Sequence, residues 1–113
     1  MIIRASTLCN RDILITDNKN KIPKRSAGDY NNYDYAVLFD EENCSSSIYF
    51  LYENDYFGYE PVSKFRFVSE EDEIDIDDFF DKLIVVKGKP NEIIGIISAR
   101  EYSEFLLKQM CLL

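Results

Sequence analysis

Tyr35–Asp40 (YAVLFD) and Ser47–Glu53 (SIYFLYE) are apolar or aromatic on both faces for several residues, and EENCSS lies between them. A strand alternates its side chains between two faces, so a run that is apolar on both is buried on both. The pair therefore reads as an antiparallel hairpin at the centre of a sheet, with Gly-free but polar EENCSS as its turn.

Other runs extend that sheet. Met1–Ala5 and Asp12–Thr16 are short β-branched stretches that predict an opening hairpin. Asp17–Gly28 (DNKNKIPKRSAG) lacks periodicity and reads as a loop. Phe65, Phe67 and Val68 mark a further strand, with Lys64 and Arg66 on its other face. Leu83–Val86, the turn KGKPN and Glu92–Ile97 predict a second hairpin. Ser98 then opens a helix in an S-x-x-E box with Glu101, supported by an Ile97–Tyr102 staple. Its stripe of Tyr102, Phe105, Leu106 and Met110 is expected to pack on the sheet.

The stretch SEEDEIDIDDFFD, from Ser69 to Asp81, holds eight carboxylates in thirteen residues. With Asp75 as N-cap, Asp78 falls at N3, and Ile76, Phe79, Phe80 and Leu83 line one face of a short helix. The dipole of such a helix favours acids in its first turn, which accounts for Asp75, Asp77 and Asp78. It leaves Glu70 to Glu73 unexplained. The expected fold is α+β: one globular domain over residues 1–113, an antiparallel sheet of five to seven strands, and two C-terminal helices packed on one face.

Several kinds of chemistry are disfavoured. The chain has no histidine, which removes imidazole bases and most catalytic zinc sites. Cys9, Cys44 and Cys111 form no CxxC pair and read as buried small residues in a reducing compartment. The acidic run lacks the glycine and spacing of a calcium loop. The four glycines never cluster as a phosphate loop does. No cofactor or metal is expected, and enzymatic activity is unmotivated. No apolar run is long enough to cross a bilayer, and MIIRASTLCNRD lacks the apolar core of a secretory leader, so the expected setting is the cytoplasm.

Charge points to a partner. Residues 29–81 carry sixteen acidic groups against Lys64 and Arg66, whereas the flanking segments are mildly basic within a total of −8. The same middle segment holds seven of the eight tyrosines, so it is ordered material and not a solvating tail. Such a field repels nucleic acid and steers a basic protein inward, while tyrosine supplies rigid contact area. The basic stretch Lys19, Lys21, Lys24 and Arg25 reads as a solubilising loop. The expected role is a non-catalytic binding protein that neutralises a basic, nucleic-acid-handling partner. That describes an immunity protein or antitoxin of a nuclease toxin, or a DNA-mimicking inhibitor of a defence nuclease. The expected contact residues are Glu70, Glu71, Asp72, Glu73, Asp75 and Asp77 for charge, with Tyr52, Asp55, Tyr56 and Tyr59 as anchors.

The segment IVVKGKPNEIIGIISAREYSEFL resembles the closing strand–turn–strand–helix unit of a CBS domain, through its apolar pattern, its turn and the G-I-I-S-x-R-E run of Gly95–Glu101. The resemblance covers about a fifth of the chain, with no second copy. It implies an alternative role as a small-ligand module that senses adenine nucleotides. The family's ribose-contacting region is conventionally followed by an Asp, and Glu101 stands at that place here.

Overall fold

The computed structural model describes residues 1–22, 33–51, 58–77, 81–88 and 92–111. In chain order the elements are β1 (Ile2–Arg4), α1 (Ala5–Leu8), β2 (Ile13–Thr16), β3 (Tyr35–Asp40), β4 (Ser45–Phe50), β5 (Gly58–Pro61), β6 (Arg66–Ser69), β7 (Glu73–Asp75), β8 (Leu83–Lys87), β9 (Glu92–Ile97) and α2 (Ala99–Cys111), with 3-10 turns at Lys19–Lys21 and Val62–Lys64. The chain divides into two compact units, one made of Met1–Arg11 with Phe65–Leu113, the other of Asp12–Lys64.

The first unit holds a three-stranded sheet in the order β6-β8-β9 and the two-stranded β1-β7. β8 is buried along Leu83–Val86 because it pairs on both sides, parallel to β6 and antiparallel to β9. The register with β9 shifts between Val85 and Val86, leaving Ile94 as the extra residue of a bulge. Gly88, at φ 75°, supports the turn after β8. On the outer edge of β9, Asn10 exchanges both backbone hydrogen bonds with Ile96, at 2.9 and 3.0 Å. The core gathers Ala5, Leu8, Val68, Ile74, Ile76, Leu83, Val85, Ile97 and Tyr102. Cys9 packs against it, and burial pushes its thiol pKa up, so it is held protonated.

The second unit is a four-stranded sheet in the order β2-β3-β4-β5. β3 and β4 form the expected antiparallel hairpin and occupy its centre. Tyr35, Ala36, Val37 and Ile48 are fully buried, as strands covered on both faces require. A second core cluster joins Ile22, Ala36, Leu38, Tyr49 and Leu51.

The expected single sheet of five to seven antiparallel strands is replaced by three sheets of two, four and three strands among the described residues. Two of the pairings, β2 with β3 and β6 with β8, are parallel. The opening hairpin does not form. β1 pairs with β7 and β2 with β3, because Ala5 and Leu8 lie on one face of α1 and are buried in the core. Burying a leucine contributes about 1.5–3 kcal/mol, enough to favour that helical turn over a hairpin between β1 and β2.

The expected helix starting at Asp75 is also corrected. Ile74 and Ile76 are 7% and 1% exposed with Asp75 exposed between them, a period of two that makes Glu73–Asp75 a strand. Leu83 opens β8, while Phe79 and Phe80 lie outside the described residues. The C-terminal α2 is thus the one long helix among the described residues. Its stripe is covered at Tyr102 and in part at Phe105, but Leu106 and Met110 are exposed. Among the described residues, no helix is long and apolar enough to cross a membrane.

α2 begins as its sequence predicts, through the glutamate half of the capping box. Glu101 Oε1 accepts from Ser98 N at 2.8 Å and Ser98 Oγ at 3.0 Å, and Oε2 accepts from Asn10 Nδ2 at 3.3 Å. Both side chains are buried, so losing the carboxylate strands donors away from water. Glu101→Ala is expected to destabilise the protein by about 2–3 kcal/mol, and Glu101→Gln by less, since one amide oxygen still accepts. Urea unfolding followed by circular dichroism measures both.

Candidate functional site

The first part of the acidic stretch, residues 69–75, folds as a turn leading into a strand, and its geometry starts from Ser69. Asp72 N donates to Ser69 O at 3.0 Å, closing a β-turn over Ser69–Asp72. The side chains brace the same turn. Asp72 Oδ2 accepts from Ser69 N at 2.8 Å, and Ser69 Oγ accepts from Glu71 N at 3.4 Å. Glu70 N continues the parallel ladder by donating to Val86 O at 2.9 Å.

The backbone of this turn also terminates α1. The first N–H groups of a helix have no partner inside it, and no side chain caps α1. Instead Ala5 N donates to Asp72 O at 2.9 Å and Ser6 N to Glu70 O at 3.0 Å. Of the four acids that helix propensity does not explain, Glu70, Glu71 and Asp72 therefore sit in a turn that caps a different helix, contributed by the N-terminal segment, and Glu73 opens β7.

β7 then pairs with β1 in the register Ile2↔Asp75, Ile3↔Ile74 and Arg4↔Glu73. Ile74 points to the core, and Glu73 and Asp75 are exposed. Arg4 is the directly opposed cross-strand neighbour of Glu73, a placement that sequence reasoning missed because the β1–β7 partnership is long-range. Asp75 Oδ1 accepts from Asp77 N at 3.0 Å, and the amino group of Met1 lies 3.4 Å from Asp77 Oδ2 and 3.9 Å from Asp75 Oδ1. These ion pairs are exposed, and such pairs contribute about 0–1 kcal/mol.

The structure thus brings Glu70, Glu71, Asp72, Glu73, Asp75 and Asp77 together on one turn and strand of the first unit. Glu70 is half-buried and the other five are exposed. It does not join the expected aromatic anchors to them within that unit. Tyr59 lies in β5 of the second unit, 63% exposed and stacked on Tyr49 with ring centroids 5.2 Å apart. Tyr52, Asp55 and Tyr56 lie outside the described residues. Tyr35 and Tyr49, counted in the tyrosine-rich segment, are core residues at 0% and 5% exposure.

The second unit carries a polar cavity of about 540 Å³, lined chiefly by the two turns Asp17–Asn20 and Asp40–Asn43, with Leu38. These turns lie beyond the carboxyl ends of the parallel strands β2 and β3. Asp40 Oδ1 accepts from Asn43 N at 3.2 Å and Oδ2 from Asn43 Nδ2 at 2.8 Å, and these bonds hold its carboxyl below the usual range. Asp17, Asp40, Glu41 and Glu42 outweigh Lys19 around the cavity, a field of the wrong sign for nucleotide phosphates. Among the described residues, no three acidic or thiol side chains converge as metal ligands do. The repeated Asp-x-x-Asn of DNKN and DEEN is the sequence signal for the two turns, but only the parallel pairing places them side by side.

In the segment that resembles a CBS unit, β8, β9 and α2 follow one another as strand, strand and helix. Glu101 is 4% exposed, with its carboxylate oxygens bonded to Ser98 and Asn10. Compared with models of known protein families, with curated proteins and with solved structures, the chain matches none.

Proposed function

We propose that the protein is a stoichiometric, non-catalytic binder that neutralises a basic, nucleic-acid-handling protein, in the manner of an immunity protein, an antitoxin or a DNA-mimicking inhibitor. The observation that carries this reading is the outward display of Glu71, Asp72, Glu73, Asp75 and Asp77 on a braced turn and strand. A braced display loses little entropy when a cationic surface docks, and its field accelerates encounter.

Glu71 and Glu73 separate charge from architecture, because the turn bonds run through Asp72 and Asp75 instead. The experiment captures the partner on the immobilised chain, then measures inhibition of its nuclease activity and the association rate across a salt series. Glu71→Gln with Glu73→Gln is expected to slow association roughly 3–10-fold at low salt and to flatten the salt dependence, with the melting curve unchanged. Salt-independent binding, or a captured partner that is not basic, overturns the reading. So does micromolar binding of adenine nucleotides by calorimetry, which would support the small-ligand alternative.

A further inference from the structure

The β1–β7 ladder determines which backbone groups of β7 face outward. Ile76 N donates to Met1 O at 3.1 Å and Ala5 N to Asp72 O at 2.9 Å, which brackets the pairing at both ends. In an antiparallel pair, hydrogen-bonded and non-hydrogen-bonded positions alternate. With Ile3 opposite Ile74, the N–H and C=O of Ile74 therefore turn toward β1. Those of Glu73 and Asp75 turn the other way, along the edge of a two-stranded sheet that has no third strand among the described residues. That edge is lined on its exposed face by the Glu73 and Asp75 carboxylates.

Resting on the function proposed above, we infer that this edge of β7 is where the partner docks, by adding an extended basic segment as an antiparallel third strand. Glu73 and Asp75 would each exchange two backbone hydrogen bonds with the incoming chain. A residue directly opposite each of them projects on the same face, with Cβ atoms about 4.5–5.5 Å apart. Lys or Arg at alternate positions of the segment therefore meets Glu73 and Asp75, with an apolar residue between them opposite Ile74. On the β1 side the register likewise sets a basic residue, Arg4, opposite Glu73.

Charge selects this occupant over the obvious competitor. A second copy of the chain adding β7 to β7 would bring carboxylates against carboxylates, which repel across a strand pair. Nucleic acid is repelled by the same groups. At three residues β7 is too short for backbone bonds alone to hold a stranger, so the pairing depends on complementary charge.

The test uses the whole chain and three synthetic heptapeptides of sequence Lys-Val-Lys-Val-Lys-Val-Lys: unmodified, N-methylated at the internal Lys amides, and N-methylated at the Val amides. Antiparallel addition uses the amides of the Lys residues opposite Glu73 and Asp75. Methylation at Lys is expected to weaken binding about tenfold or more, and methylation at Val to leave it nearly unchanged. The unmodified peptide is expected to slow hydrogen exchange at the Glu73 and Asp75 amides. Equal affinity of all three peptides, or protection confined to other residues, overturns strand addition while the charge-led function stands. Loss on Val methylation instead overturns the antiparallel placement. Failure of every peptide to bind at low salt overturns this inference, and the capture experiment then decides the proposed function separately.

Discussion

Tyr102→Ala is expected to cost about 3–5 kcal/mol, the range for deleting a large aromatic from a packed core. Tyr102 is fully buried and joins the cluster that binds α2 to Val68, Ile74, Ile76, Leu83, Val85 and Ile97. The same cluster includes Ala5 and Leu8, so it also holds the N-terminal segment in place. A unit of this size has a total stability of about 3–9 kcal/mol, so the substitution is expected to leave it unfolded or barely folded at room temperature. Chemical denaturation, with hydrogen exchange at Ile84, Val85 and Ile96 as the local readout, measures the loss. Leu107, three-fifths exposed on the same helix, is the matched control, and Leu107→Ala is expected to change stability by less than about 0.5 kcal/mol. A Tyr102→Ala loss as small as the control's would contradict the packing described.

The second large effect is at Gly95, where the backbone of β9 runs against the N-terminal segment. A Cβ at this position would lie 2.6 Å from Cys9 Sγ, 2.8 Å from Cys9 Cβ and 2.9 Å from Asn10 O. Asn10 O is itself the acceptor for Ile96 N, so it cannot retreat without weakening the bridge between the N-terminal segment and β9. Gly95→Ala is expected to cost about 2–3 kcal/mol, at the upper end of overpacking, and to lower the melting temperature by roughly 10–20 °C. Adding Cys9→Ala is expected to recover only part of this, because the Cys9 Cβ and Asn10 O contacts remain. Full recovery would mean that the sulfur alone sets the constraint.

Both positions bear on how far the sequence could be read. Tyr102 was legible as a buried staple residue because Ile97 and Tyr102 are five residues apart and the S-x-x-E box places the helix start between them. The constraint on Gly95 was not legible, since the atoms that forbid a side chain come from Cys9 and Asn10, more than eighty residues earlier. The same division runs through the candidate site. That Glu71, Asp72, Glu73, Asp75 and Asp77 are exposed accords with their charge, but their attachment to β1 and α1 has no local signal.

Asp75 shows why one local pattern admits two outcomes. An aspartate whose carboxylate accepts an N–H two residues on satisfies a helix N-cap and an Asx-turn alike. Here Asp75 Oδ1 accepts from Asp77 N. The choice between helix and strand is made by Ile74 and Ile76, which are both drawn into a core built from β6, β8, α1 and α2.

From the order of residues alone came the β3–β4 and β8–β9 hairpins, the start of α2 and the concentration of negative charge. Each depends on neighbours within a few positions, where backbone sterics and hydrogen bonding are local. Tertiary structure decided that β2 and β6 find parallel partners, that the N-terminal segment closes onto β7 and β9, and that the acidic run becomes a turn and strand in place of a helix. Those choices are made by burial of side chains far apart in the chain, which outweighs the weaker preferences of any single stretch.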